Sequence, residues 1–256
     1  MAELEIVQFP CLKDNYGYAL HDAESGSTAV VDTPEVAPIE RALAERGWRL
    51  THILNTHWHP DHAGGNLALK EASGCTVIGP RAEAARIPGL DRAVGDGDEV
   101  RLGRHVARVF DVPGHTAGHI AYWFADARAA FVGDTIFALG CGRLFEGSAA
   151  QMWASLQKLM ALPPDTRIYC AHEYTQSNAR FALTVEPDNP ALVARARRVD
   201  ELRARGLPTV PSTLGEELST NPFLRPASPG LQRAVGLVGA PLAEIFGETR
   251  RRKDLF

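Results

Sequence analysis

The order of apolar and polar positions predicts two regimes along the chain. Residues 28–31 are a short apolar run closed by Asp32, Thr33 and Pro34, which predicts a strand ending in a turn. Residues 36–46 are helical in pattern, with Gly47 placed as a C-cap. A strand closes over 53–55, and 57–62 reads as a loop. A helix over roughly 64–72 is stopped by Gly74, and 76–78 is the next strand. This β-α-β-α-β order predicts an open sheet covered by helices. The middle is richer in strands, at 106–112, 120–124 and 129–132, followed by a helix over 151–161 and a strand over 167–170. Beyond residue 172 the pattern becomes helical. Asn189-Pro190 supplies an N-cap with proline at the first helical position, Leu192, Val199 and Leu202 recur at helical spacing, and Gly206 lies past the end. Ser228-Pro229 opens another helix, and 240–252 forms a third, with Leu242, Ile245 and Phe246 expected on one face. The expected division is a mixed domain over 1–172 and a small helical domain over 173–256.

Composition narrows the class without naming it. The 256 residues are 45% hydrophobic, enough for an ordinary globular core. The formal charge is −4, so there is no global attraction to nucleic acid or an anionic membrane, and neither is an expected partner. The start carries acids and no long apolar run, and no stretch approaches the ~20 apolar residues of a membrane helix. Cys11, Cys75, Cys141 and Cys170 form no CxxC pair and read as reduced thiols of a cytoplasmic protein. Nothing in the pattern calls for an obligate dimer, and a monomer is expected.

The run His57-Trp58-His59-Pro60-Asp61-His62 carries the chemistry. Two histidines two apart on an extended backbone point the same way, so His57 and His59 are placed to grip one cation. Pro60 fixes a turn, after which Asp61 and His62 leave in another direction, towards a second cation. Gly133-Asp134-Thr135 supplies a carboxylate suited to bridging two ions. His115 completes the first ligand set (His57, His59, His115, Asp134), and His172 completes the second (Asp61, His62, His172, Asp134). His115, Asp134 and His172 each follow a predicted strand end, which is how α/β enzymes assemble sites. One histidine at a strand end is usually a capped or solvated residue, but three histidines and an aspartate within six residues are costly to pack without metal. Nitrogen and carboxylate donors suit zinc first, with iron or manganese also compatible. Two divalent ions against Asp61, Asp134 and a bridging hydroxide leave a net positive site, which favours an anionic tetrahedral intermediate. His21, His52 and His105 are expected to do nothing chemical. His119 is expected to be structural or to support a ligand, and Asp32 is either a turn residue or the hydrogen-bond partner of a ligand histidine.

The segments THWHPDH, PGHTAGH, VGDTIF and AHEYT, in this order, resemble the metallo-β-lactamase superfamily. DNYGYAL (14–20), GCGRLFEG (140–147), HEYTQSNARFA (172–182), TNPFLR (220–225) and RRRKDLF (250–256) are more specifically similar to glyoxalase II, the hydroxyacylglutathione hydrolases. The resemblance covers essentially the whole chain. It implies an αββα sandwich followed by a helical domain, two divalent metal ions, and hydrolysis of the thioester S-D-lactoylglutathione to D-lactate and glutathione. The seven ligands above fall on the family's metal positions, with Asp61 and Asp134 as the carboxylates nearest the chemistry. The family's glutathione contacts fall on Arg143, Phe145, Tyr174, Arg250 and Lys253. Arg143 stands where a lysine is common, which keeps the charge. Phe145 stands where a tyrosine is common, which loses a hydroxyl and implies weaker glutathione binding. From the residues alone, the basic run 250–253 is equally a solvated helix end; on the resemblance it is a carboxylate site. The rivals are an iron-dependent persulfide dioxygenase on the same fold, or a lactonase or nuclease of the superfamily. A nuclease would want an extended basic surface that this charge balance does not promise.

Overall fold

Hydrophobic strands that must bury one face organise the first half of the chain. The computed structural model describes residues 3–256, which divide into two compact units. The first unit runs to Asp111 and takes in Ala117–Gly133. Its first sheet orders the strands Glu5–Cys11, Asn15–Asp22, Ser27–Val31, His52–Leu54, Thr76–Pro80 and Arg92–Val94. The first three are antiparallel, paired Glu5 to His21 and Tyr18 to Val31. The rest join in parallel, as strands linked through helices must. The helix Val36–Arg46 buries Ile39, Ala42 and Leu43, and the helix Asn66–Ser73 buries Leu69; these pack with Val30, Ile53 and Val77 of the sheet in one apolar cluster. Gly47 and Gly74 end these helices in left-handed conformation, as the sequence predicts.

A second set of antiparallel strands orders Ala129–Gly133, Ile120–Phe124, His105–Asp111 and Glu99–Leu102. Its inner face meets the first sheet. The Phe131 ring lies 5.5 Å from Tyr18 and 6.1 Å from Phe124, and the buried Tyr122 hydroxyl donates to the Asn55 carbonyl at 2.9 Å. Two sheets packed face to face with helices outside are the αββα sandwich.

The second unit comprises Val112–Thr116 and Asp134–Phe256. A hairpin pairs Ile136–Phe137 with Gly140–Cys141, and the helix Ala149–Met160 opens with a capping box of Ser148 and Gln151. Arg167–Cys170 pairs with the two-residue strand Ser212–Thr213. The helices Thr175–Val185, Pro190–Ala204, Leu214–Thr220, Pro229–Val235 and Leu242–Leu255 complete the helical C-terminal part. Leu139 packs with Ala179, Ala182, Leu192 and Ala196. Leu139 also adopts φ 59°, an uncommon conformation for leucine, and its N–H donates to the buried Glu217 carboxylate at 2.9 Å. Glu217 is paired in turn with buried Arg195, and Asn221 donates to the carbonyls of Phe137 and Gly140. The helices thereby fix a hairpin whose own sequence is too short to hold its shape.

Two expectations change. The loop over 57–62 ends in a helical turn, Pro60–Ala63, with Pro60 at its first position, because proline's fixed φ starts a helix as readily as it makes a turn. Leu242 is 37% exposed, because it stands at the start of its helix; the buried face is Ile245, Phe246, Thr249 and Arg250. Phe131, fully buried between Tyr18 and Phe124, gives a test of the sandwich. Phe131→Ala is expected to cost about 3–5 kcal/mol of stability, read as a lower urea midpoint at unchanged m-value; a cost below about 1 kcal/mol would contradict this packing.

Candidate metal centre

In the first unit the histidine run leaves the strand His52–Leu54 and is pinned by one carboxylate. Asp32 adopts φ 58° at the end of its strand and is buried. It accepts from the Thr56 N–H at 2.8 Å, the Thr56 hydroxyl at 2.8 Å and His62 Nδ1 at 2.7 Å. Because the Thr56 hydroxyl proton is given to Asp32, its oxygen accepts from His57 Nδ1, 3.0 Å away. Both histidines therefore carry their proton on Nδ1 and present an Nε2 lone pair. That is the tautomer a metal ligand needs, fixed by partners behind the ring. His57 Nε2 lies 2.9 Å from His59 Nδ1, and His62 Nε2 lies 3.6 Å from the Asp61 carboxylate. The helical turn from Pro60 brings the His62 ring to 4.0 Å from that of His57, closer than the 4.6 Å between His57 and His59, so the turn does not carry His62 away from the pair.

Other groups hold this run from outside. His119 stacks on His57 with ring centres 4.6 Å apart, which places it as a support for a candidate ligand. Glu83, buried, accepts from the Trp58 N–H at 3.0 Å and the Gly118 N–H at 2.8 Å. The Arg86 guanidinium covers the Trp58 ring at 3.4 Å. Asn15 donates to the Asp61 carboxylate at 3.1 Å. The residues alone do not predict Asn15 or Glu83 in these roles; the DNYGYAL segment is the one signal near Asn15. Gly133 has φ 48°, and a Cβ there would meet Thr56 Oγ1 at 2.5 Å and His119 at 2.7 Å, so no other residue fits. His21, His52 and His105 make local contacts: His21 with Thr28 and Trp48, His52 with Thr51, and His105 with Asp126.

The second unit holds the other three candidate ligands around one carboxylate. His115 Nε2 lies 3.2 Å from Asp134 Oδ2, and His172 Nε2 lies 3.4 Å from Asp134 Oδ1. One histidine faces each oxygen, the arrangement of a carboxylate able to bridge two ions. His115 Nδ1 donates to the Arg143 carbonyl at 2.9 Å, which again leaves Nε2 as the acceptor. Gly142 permits that approach, since a Cβ there would meet the Asp134 carbonyl oxygen at 1.9 Å.

The predicted substrate residues gather in the same unit. The Tyr174 ring stacks on His172, with centres 4.7 Å apart and planes 1° from parallel, and Phe145 stands 5.2 Å from His115 with 62% of its surface exposed. Arg250 is buried, donates to the Cys141 carbonyl at 2.8 Å, and lies 5.0 Å from the Phe223 ring centre. Lys253 donates to the Ser177 hydroxyl at 3.1 Å. Burial, together with the positive charges of Arg250 and Arg143, pulls the Lys253 ammonium down to about 8. The four cysteines are buried free thiols, and Cys11 and Cys170 are each pushed by burial up to about 12, unsuited to nucleophilic work. The donor set, imidazole nitrogens with the tautomer fixed at His57, His62 and His115 and aspartate oxygens, fits a divalent metal.

Comparison with known proteins agrees with this reading. Residues 22–172 match the model of the metallo-β-lactamase superfamily, and residues 173–256 match that of the hydroxyacylglutathione hydrolase C-terminus. The chain is 61% identical to a hydroxyacylglutathione hydrolase of Methylococcus capsulatus over 253 residues, 99% of each chain. It is 56% identical to a hydroxyacylglutathione hydrolase of Rhizobium etli over 256 residues, 100% of each. Among solved structures, ETHE1 from Myxococcus xanthus superposes with a TM-score of 0.68 at 26% identity, covering 99% of both chains.

Asp32 gives the sharpest local test. Asp32→Asn removes the charge that fixes His62 and Thr56, and metal affinity is expected to fall about 10- to 100-fold in a chelator competition. Unchanged affinity would show that Asp32 plays no part in holding the ligands.

Proposed function

The chain belongs to the hydroxyacylglutathione hydrolases of the metallo-β-lactamase superfamily, and from that premise we propose that it hydrolyses glutathione thioesters, S-D-lactoylglutathione foremost, to the 2-hydroxy acid and glutathione. The observation that carries the reading is the Asp134 carboxylate with a histidine nitrogen facing each oxygen, in a chain that matches hydroxyacylglutathione hydrolases along its full length. His57, His59, His115 and Asp134 would hold one divalent ion, and Asp61, His62, His172 and Asp134 the other, with zinc favoured over iron or manganese. Bound there, such ions lower the pKa of water to about 7 and polarise a carbonyl.

The chain's own residues do the remainder. Asp32 and the Arg143 carbonyl hold His62 and His115 in the tautomer that presents an Nε2 lone pair. Arg143, Arg250 and Lys253 supply local positive charge for the carboxylates of glutathione on an otherwise acidic chain. The Tyr174 ring, fixed by its stack on His172, offers a flat apolar wall. A thiolate leaves more readily than an alkoxide or amine, so no proton donor is needed behind the sulfur. The segment 173–256 carries the substrate contacts Tyr174, Arg250 and Lys253. No helix among the described residues is long and apolar enough to cross a membrane, and a cytoplasmic monomer acting on a diffusing small molecule completes the proposal.

Loss of thioester from S-D-lactoylglutathione by the purified protein tests the reading, with an oxygen electrode and glutathione persulfide as the discriminating control. Thioester hydrolysis without oxygen uptake is expected; oxygen uptake without hydrolysis would favour a persulfide dioxygenase. Asp134→Asn is expected to lose metal and nearly all turnover, and full activity with full metal content would reject the ligand scheme. The pH dependence follows from Lys253. Its charge is present below about pH 8 and is lost as pH rises through that value. KM for the thioester therefore climbs above about pH 8, and Lys253→Arg removes the climb; an identical rise in the variant would assign it to another group.

A further inference from the structure

The basic run of the last helix is closed by an acid. An Asp254 carboxylate oxygen lies 2.8 Å from Arg250 Nη2 and 3.8 Å from Arg143 Nε. These are two of the three cations assigned above to the substrate. The Arg143 side chain is 67% exposed and that of Asp254 41%, so a carboxylate from solvent reaches Arg143 directly; the Arg250 side chain is 5% exposed, and an incoming carboxylate meets it only by taking the place of Asp254. The Arg143–Asp254 contact, exposed on both sides, is of the kind that holds weakly and exchanges partners readily. Arg250 does not depend on Asp254 for its place: the Cys141 carbonyl and the Phe223 ring already fix its guanidinium.

We propose that Asp254 is a built-in competitor, an internal carboxylate that occupies Arg250 and Arg143 in the free protein and yields them to a substrate carboxylate on binding. The proposal rests on the assignment of glutathione to this corner. It makes Asp254 a specificity-determining residue. A thioester with a carboxylate replaces one charged partner by another and keeps the two arginines paired. A neutral thioester would have to leave Asp254 in place or leave the arginines unpaired, so the device selects for anionic carriers. Asp254 also supports the positive charge of its neighbour Lys253, which its removal would weaken.

The test compares wild-type protein with Asp254→Asn and Asp254→Ser, both neutral and neither larger than aspartate. Two quantities are read at low ionic strength: KM for S-D-lactoylglutathione and the dissociation constant of S-methylglutathione by calorimetry. Both are expected to fall roughly three- to tenfold in each variant near pH 7, and about 0.5 M salt should erase most of the gain, because exposed charges are then screened within a few ångströms. The alkaline rise in KM should also move to lower pH. Equal or weaker binding by both variants, with wild-type protein binding normally, overturns the competitor and makes Asp254 a positioning residue for Arg250. Wild-type protein that hydrolyses the thioester but does not bind S-methylglutathione overturns the competitor while leaving the hydrolase reading intact. Wild-type protein that neither hydrolyses the thioester nor binds S-methylglutathione overturns both.

Discussion

The Asp32 carboxylate is the interaction on which the first half of the site depends. It accepts three hydrogen bonds from Thr56 and His62, and through the Thr56 hydroxyl it also fixes His57. A buried carboxylate and buried imidazoles are costly to desolvate unless each is given partners. Here the partners are one another, arranged so that Nδ1 of His57 and of His62 is held by a hydrogen bond and Nε2 faces the other candidate ligands. The backbone accommodates this at two strained or tight points, the left-handed Asp32 and the Gly133 position beside Thr56 and His119. The orientation of His57 and His62 is thus set by hydrogen bonds within the protein.

The second unit repeats the principle with different means. His115 is oriented by a backbone carbonyl, that of Arg143, and the hairpin between Asp134 and Arg143 is held from the helices by Glu217, Asn221 and Asn178. Arg143 acts twice: its carbonyl orients His115, and its guanidinium faces Asp254. The candidate ligand Asp134 and the candidate substrate contact Arg143 thus lie within a dozen residues of each other, on one hairpin segment.

Local chemistry made much of this legible in the sequence. The H-x-H-x-D-H run, the glycine-flanked Asp134, and the helices closed by Gly47 and Gly74 all depend on residues within a few positions of one another. What the sequence left open depends on distant partners. Asp32 reads equally as a turn residue until His62, thirty positions later, is seen against it. Glu83 carries no signal of its contacts with Trp58 and Gly118, nor Asn15 of its contact with Asp61, because those pairings are made by the fold and not by spacing. The helical turn at Pro60 is not legible in the sequence because proline serves loops and helix starts alike.

The central claim is that seven donors serve two ions and that both ions are needed to open a glutathione thioester. Metal-free protein titrated with zinc, with bound metal and S-D-lactoylglutathione hydrolysis read on the same samples, tests it directly. Activity that rises to a plateau at two equivalents per chain is the predicted result. Full hydrolysis at one equivalent, or in metal-free protein, would contradict the two-ion ligand scheme.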